Sequence, residues 1–239
     1  MTEQLVTRGW QGAVLRLLGA DDYRLTVTGS REINAHYLRL SFDGGGLLSE
    51  NAVHPTMWIR MWFADGNKLH QRGYTLVNPD PAADTVDIEF ALHDGCNGIA
   101  SRWAQAARPG DTIEATVLGS KFAVPDPAPA GYVIVGDRAS LPAINTLLEA
   151  IGDAPARVFL EAHYDDDREL PVNRRTDTVW VDRKNGALVQ AVTSAAFGAE
   201  DHFGWVACDN HTTRAVSKIL RENYLIPRKS IKAQAYWVA

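Results

Sequence analysis

At 239 residues the chain is long enough for one large domain or two small ones, and 46% hydrophobic residues supply a sizeable core. A formal net charge of −5, with no long block of like charges, excludes a nucleic-acid partner held by phosphate neutralisation. No run of about 18 apolar residues predicts a membrane span and nothing at the N-terminus has the apolar core of a secretory signal, so a cytoplasmic protein is expected.

Residues 12–18 read as a short helix or arm without a functional assignment. From Tyr23 the pattern turns to strands: Tyr23 to Thr28, His36 to Phe42 and Met57 to Phe63 alternate or run apolar, divided by turn formers such as Asp43-Gly44-Gly45-Gly46. In the third of these Trp58 and Trp62 share a face, where packing in the core or at a barrel rim is favoured over an aromatic platform. A fourth strand carries Arg72-Gly73-Tyr74-Thr75. Thr85 to His93 shows a period of two that turns Val86, Ile88, Phe90 and Leu92 inward and Asp87, Glu89 and His93 outward. Gly98 opens a helix, and Asp111 to Leu118 forms a strand after the Pro109-Gly110 turn. Six short strands and one helix predict a small antiparallel β-barrel.

The stretch from His70 to Ala107 carries the chemistry. Residues two apart on a strand share a face, so Arg72 and Tyr74 project together while Thr75 points the other way or offers its backbone. A guanidinium pairs with a pyrophosphate in bidentate fashion and a phenol ring lies flat on an isoalloxazine. Thr75 would hydrogen-bond the redox-active edge of that ring, the one part in catalysis assigned to a side chain. At the helix start, Gly98 permits close approach, and Ile99, Ala100, Ser101 and Arg102 are expected to bring free backbone N–H groups and the positive end of the helix dipole to an anion. Both pieces suit FAD. Taken singly, an ordinary strand and an ordinary helix cap explain them as well.

Val124 to Gly131 holds three prolines in eight residues, a stiff connection that puts a domain boundary near Pro127. Residues 1–127 are then the barrel and 128–239 a second domain in which strands and helices alternate. Tyr132 to Val135, Ala156 to His163, Thr178 to Val181, Phe203 to Cys208 and Ile231 to Val238 read as strands. Leu141 to Ile151, Ala187 to Ala196 and Thr212 to Tyr224 read as helices. This predicts a doubly wound α/β domain with a parallel sheet. Ligands of such sheets bind beyond the carboxyl ends of the strands, which directs attention to Gly136-Asp137-Arg138, Tyr164 to Arg168, Asp182-Arg183-Lys184 and Asp209-Asn210-His211. The first has no Gly-x-Gly-x-x-Gly signature. Cys96 and Cys208 form no ligand pair, and the seven histidines no metal motif, so no protein-bound metal is expected.

In order and spacing, Arg72-x-Tyr74-Thr75, Asp87 to His93, Gly98-x-Ala100-Ser101-Arg102-Trp103-Ala104, Pro109-Gly110-Asp111 and Gly136-Asp137-x-x-x-Leu141-Pro142-Ala143-Ile144 resemble the siderophore-interacting proteins, the flavin-dependent ferric-siderophore reductases. Tyr236-Trp237 is similar to that family's closing residues. The resemblance runs from about Asp22 to the C-terminus. It implies a ferredoxin-reductase-like flavoprotein that binds FAD and passes electrons from NADPH, NADH or ferredoxin to a ferric siderophore or other ferric chelate. By the same resemblance His93 belongs to the flavin stretch, and Gly136, Asp137, Arg138, Asp209 and Trp237 to the nucleotide side. The chain departs from the family pattern in Gly119-Ser120-Lys121-Phe122, in Asp137-Arg138-Ala139-Ser140, which lacks a threonine hydroxyl, and after Trp237, where a basic residue is missing. A flavin reductase with another acceptor, and a redox-silent chelate-binding or assembly module, are the alternatives.

Overall fold

The computed structural model describes residues 21–93 and 98–238; the expected arm at 12–18 and Cys96 lie outside them. The chain divides into two compact units between Phe122 and Ala123.

The first unit is a sheet of seven strands: β1 (Asp21–Asn34), β2 (Tyr37–Asp43), β3 (Trp58–Asp65), β4 (Lys68–Thr75), β5 (Val77–Asp80), β6 (Thr85–Ala91) and β7 (Thr112–Val117). Helix α1 (Leu47–Glu50) follows β2, and α2 (Ile99–Ala106) precedes β7. The spatial order is β4-β3-β7-β1-β2-β6-β5, every pair antiparallel. The two edge strands, β4 and β5, are separated in the chain by Leu76 alone, whose N–H bonds the Met57 carbonyl at 2.9 Å. Opposite edges can lie one residue apart only if the sheet rolls up, so it is a curled, half-closed barrel.

The expected six strands are thus seven. The extra one, β5, is Val-Asn-Pro-Asp with Asn78 at φ 46, too short for its alternation to stand out and with a proline tolerated only because the strand lies at an edge. Alternation elsewhere places the core as anticipated: Leu38, Leu40 and Phe42 of β2 stand opposite Phe90, Ile88 and Val86 of β6, all buried. Glu89 points outward, as expected, yet is buried on that face. It is 6% exposed because Arg39, directly across the ladder, holds its carboxylate at 2.5 Å. Trp62 is buried with its indole N–H donating to Thr116 Oγ1 at 2.8 Å, and Arg60 lies over the Trp58 ring at 4.5 Å. Both tryptophans pack within the barrel wall.

The second unit is a five-stranded parallel sheet of β8 (Tyr132–Asp137), β9 (Ala156–Ala162), β10 (Thr178–Asp182), β11 (Phe203–Ala207) and β12 (Ile231–Ala233), in the order β10-β9-β8-β11-β12. Its helices are α3 (Leu141–Ile151), α4 (Ala187–Ser194) and α5 (Asn210–Glu222). The order reverses between β8 and β11, which makes the crevice beyond their carboxyl ends the topological switch point. β12 is shorter than the expected strand to Val238: the regular ladder with β11 stops at Ala233, and only an isolated bridge, Asp209 with Trp237, follows. The chain nevertheless keeps its course: Gln234 N–H bonds Val206 O and Tyr236 N–H bonds Cys208 O, both at 2.9 Å.

Candidate functional site

In the first unit the register β3 against β4 pairs Met61 with Arg72, Ile59 with Tyr74 and Trp58 with Thr75. Arg72 and Tyr74 therefore share the face turned to the core, and Thr75 lies on the other. Tyr74 packs its ring at 4.6 Å from Phe90 and 6.0 Å from Phe63, and burial pushes its hydroxyl pKa up against the opposing pull of the Arg72 charge. Arg72 is exposed, its guanidinium resting on the Gln71 carbonyl at 2.8 Å.

The other face of β4 holds a feature not singled out from sequence. Gln71, Gly73 and Thr75 alternate onto it, and both Gln71 Oε1 and Thr75 Oγ1 are buried without a hydrogen-bond partner. A Cβ at Gly73 would stand 3.4 Å from the Trp58 ring, so the glycine keeps that stretch of the edge strand low. Two orphaned polar atoms on an edge strand are what a bound heteroaromatic group with its own donors and acceptors would satisfy.

Helix α2 supplies the second half. Its N-cap is Gly98, which offers no side-chain hydrogen bond, while Ala100 and Ser101 in the first turn are buried. The first N–H to be taken by the helix itself is that of Arg102, to Gly98 O at 2.9 Å, so the N–H groups ahead of it face out of the helix end. The exposed His93 joins this corner: a Cβ on Gly98 would lie 3.6 Å from its ring and 3.3 Å from Ser101 Oγ. Behind them Trp103 anchors the helix, its ring 5.6 Å from Phe63 and 6.3 Å from Phe90, the rings that also hold Tyr74. One aromatic cluster thus sets both the strand and the helix start. The orphaned hydroxyl and the uncapped helix end fit a flavin dinucleotide.

In the second unit the sequence-predicted residues gather at the switch point. Asp137 is 2% exposed; its Oδ1 accepts the N–H groups of Ala139 and Ser140 at 2.9 and 3.1 Å, and its Oδ2 accepts the Trp237 indole N–H at 2.7 Å. Burial raises its carboxyl pKa and these hydrogen bonds pull it back. Gly136 is required by packing, since a Cβ there would meet Ser140 Oγ at 2.3 Å and Ile144 at 2.5 Å. Arg138 is buried, with Nη1 3.3 Å from Asp167 and its guanidinium 4.9 Å over Tyr164. Asp209 caps α5 through the N–H groups of His211 and Thr212 at 2.7 and 3.0 Å; burial works to raise its carboxyl pKa, and the bonds outweigh it and leave it lowered.

Two residues here, Glu161 and His163, were not anticipated, and Arg183 lies in a loop that the strand ends did single out. Glu161 near the end of β9 has its pKa pushed up to about 7 by burial, with Arg183 pulling down and Asp137 and Asp209 pushing up. Arg183 lies 3.9 Å from Glu161 and 5.2 Å over the Trp237 ring, and His163 is 6.4 Å from the same ring. No spacing in the chain announces this cluster, because parallel strands juxtapose residues of remote sequence. Asp137 and Ser140, three apart at a strand-to-helix turn, bond each other within that turn, ahead of the first residue of α3. Cys208 is buried and its thiol is pushed well above the ordinary value by burial, as a packing residue's would be.

A curled antiparallel barrel followed by a five-stranded parallel α/β unit is the ferredoxin-reductase-like fold. A ferredoxin NADP+ reductase from Neisseria gonorrhoeae shares it at a TM-score of 0.67 and 14% identity, over 90% of this chain and 99% of that one. The family models narrow the class: the siderophore-interacting FAD-binding domain matches residues 26–118 and the siderophore-interacting protein model residues 129–239, and the chain belongs to the siderophore-interacting protein family. The solved siderophore-interacting protein SipS of Aeromonas hydrophila superposes with a TM-score of 0.77 at 21% identity, covering 91% of each chain. Mycobactin import ATP-binding/permease protein IrtA of Mycobacterium tuberculosis is 35% identical over 98% of this chain, which spans only 28% of IrtA. Ferric vibriobactin reductase ViuB of Vibrio cholerae is 30% identical over 70% of this chain and 64% of its own length. No helix among the described residues is long and apolar enough to cross a membrane.

Proposed function

We propose that the chain is an FAD-dependent reductase of ferric siderophores, taking electrons from NADPH, NADH or an iron–sulfur protein such as ferredoxin and releasing iron as the weakly chelated ferrous ion. The observation that carries the reading is the buried Thr75 hydroxyl, unpartnered among the described residues, on an edge strand within the stretch that the FAD-binding domain model matches. FAD, when bound, supplies the step from a two-electron donor to a one-electron acceptor. The protein's part is to hold and orient it: Arg72 neutralises the pyrophosphate, Thr75 and Gln71 hydrogen-bond the ring edge, Tyr74 offers its ring, and the N–H groups of Ile99, Ala100 and Ser101 receive phosphate oxygen. Gly98 and His93 shape that corner. Gly136, Asp137, Arg138, Asp209 and Trp237 form the nucleotide side.

The substrate class is supported by relatives named for mycobactin import and for ferric vibriobactin reduction. The relative named for mycobactin import makes a mycobactin-type ferric complex the first to test. The experiment is an anaerobic one: FAD-loaded protein, with its flavin reduced photochemically, is mixed with ferric mycobactin and ferric vibriobactin in the presence of a ferrous-ion trap. Trapped iron with return of the oxidised flavin band supports the reading; a flavin band that stays bleached with both chelates sinks it.

A further inference from the structure

The face of β3 and β4 turned away from the barrel core carries a cation that the protein does not neutralise. The ladder sets Trp58 across from Thr75, Arg60 across from Gly73 and Trp62 across from Gln71. The Trp58 ring turns into the gap that Gly73 leaves, and the Arg60 guanidinium lies on that ring at 4.5 Å with Nη1 donating to Leu118 O. Arg39, Arg138, Arg168 and Arg174, the other arginines of the described residues that are buried or half-buried, each pair with a carboxylate. Arg60 is half-buried and has none among the described residues, so burial acts on its charge unopposed and lowers its pKa. The ring and the carbonyl fix the guanidinium while engaging only one of its N–H groups in a hydrogen bond. A charge held partly out of water without a counter-ion is unfavourable until an anion completes it.

On the neighbouring strand of the same face, Gln71 Oε1 and Thr75 Oγ1 are buried without a partner among the described residues. An amide oxygen only accepts, so this face is complemented by a ligand that brings an N–H donor and a negative charge together. The oxidised isoalloxazine has the N–H without the charge. Reduction by two electrons and one proton leaves the ring with one negative charge, and the reduced form has both. We propose that Arg60 is a redox-tuning residue: its cation, positioned by the Trp58 ring, favours the reduced, anionic flavin over the oxidised one and so raises the midpoint potential of bound FAD. The inference rests on the reductase reading for the identity of the ligand.

The test is the midpoint potential of FAD bound to the full chain, measured by equilibration with a reference dye over a range of pH. Arg60→Gln removes the charge and keeps an N–H for the Leu118 carbonyl; Arg60→Lys keeps the charge. Loss of the cation should weaken binding of the reduced flavin about tenfold relative to the oxidised form, which lowers the potential by about 30 mV for a two-electron couple. The same tenfold raises by about one unit the pH at which the reduced ring takes up a second proton, a change that a merely structural role for Arg60 would not produce. Arg60→Lys should keep most of the parent's potential. In the unmodified chain, the absorbance of the reduced flavin should be that of the anion at neutral pH. A neutral reduced flavin there, a parent-like potential in Arg60→Gln, or an equal fall in Arg60→Lys overturns the assignment. FAD uptake is read by absorbance in the same samples: a chain that takes up none sinks the reductase reading and this proposal with it, whereas FAD bound at an unchanged potential sinks the proposal alone.

Discussion

Replacing Thr75 by Val separates a cofactor ligand from a structural hydroxyl, because the two roles give opposite signs. The side chain is 5% exposed and its Oγ1 has no partner among the described residues. A buried hydroxyl left unpaired costs about 1–3 kcal/mol, and valine is close in shape and at ease in a strand. Without flavin, Thr75→Val should therefore be more stable than the parent by about 1 kcal/mol or more, raising the apparent melting temperature by about 2–4 °C for a chain of this size. With flavin the hydroxyl gains its partner, and losing a neutral hydrogen bond worth about 0.5–1.5 kcal/mol should weaken FAD binding by roughly 2- to 13-fold. The assay is paired: thermal unfolding of flavin-free protein, and titration of FAD followed by quenching of its fluorescence. A variant less stable without FAD, or one that binds FAD as tightly as the parent, would refute the assignment.

Arg72→Ala should weaken FAD binding by about ten- to a hundredfold, the worth of a charge-assisted pair with pyrophosphate, with the deficit shrinking in high salt; equal affinity in low salt would argue against that contact. Arg138→Met leaves the Asp167 carboxylate buried without its cation and should cost about 3–5 kcal/mol in urea unfolding, whereas a cost below about 1 kcal/mol would mean the pair is not formed. Glu161 has a folded-state pKa of about 7, raised from 4.5 chiefly by burial, so the native state binds the extra proton between those values. Its contribution to stability therefore falls as pH rises through that window, by at most about 1.4 kcal/mol per pH unit. Glu161→Gln removes the dependence, and the stability of the variant relative to the parent should rise from pH 5 to pH 8; parallel profiles would contradict the raised value.

Much of the barrel was legible because its signals are local. Alternation in Thr85 to Leu92 reports the inward face directly, and Leu38, Leu40 and Phe42 answer it across the ladder. β5 escaped because four residues with a proline are too few for a period of two to be recognised. The face of Glu89 was read correctly, but its burial was not, because alternation does not report the cross-strand arginine that covers it. Of the site, Arg72, Tyr74, Thr75 and the Gly98 helix start could be named from residue chemistry, yet Gln71 became visible only as an unpartnered buried oxygen. On the nucleotide side, the strand ends picked out the right loops. What those loops do to one another, Arg138 with Asp167 and Trp237 with Asp137, follows from contacts between residues 29 and 100 positions apart, which no local pattern encodes.

The most direct test of the reductase account is the anaerobic reaction of photoreduced, FAD-loaded protein with ferric mycobactin, following the oxidised-flavin band and trapped ferrous iron together. The account predicts that the band returns as ferrous iron appears, with two ferrous ions for each flavin reoxidised, as electron balance demands of a two-electron carrier. A chain that binds FAD, is reduced, and leaves every ferric chelate offered to it unreduced would contradict it.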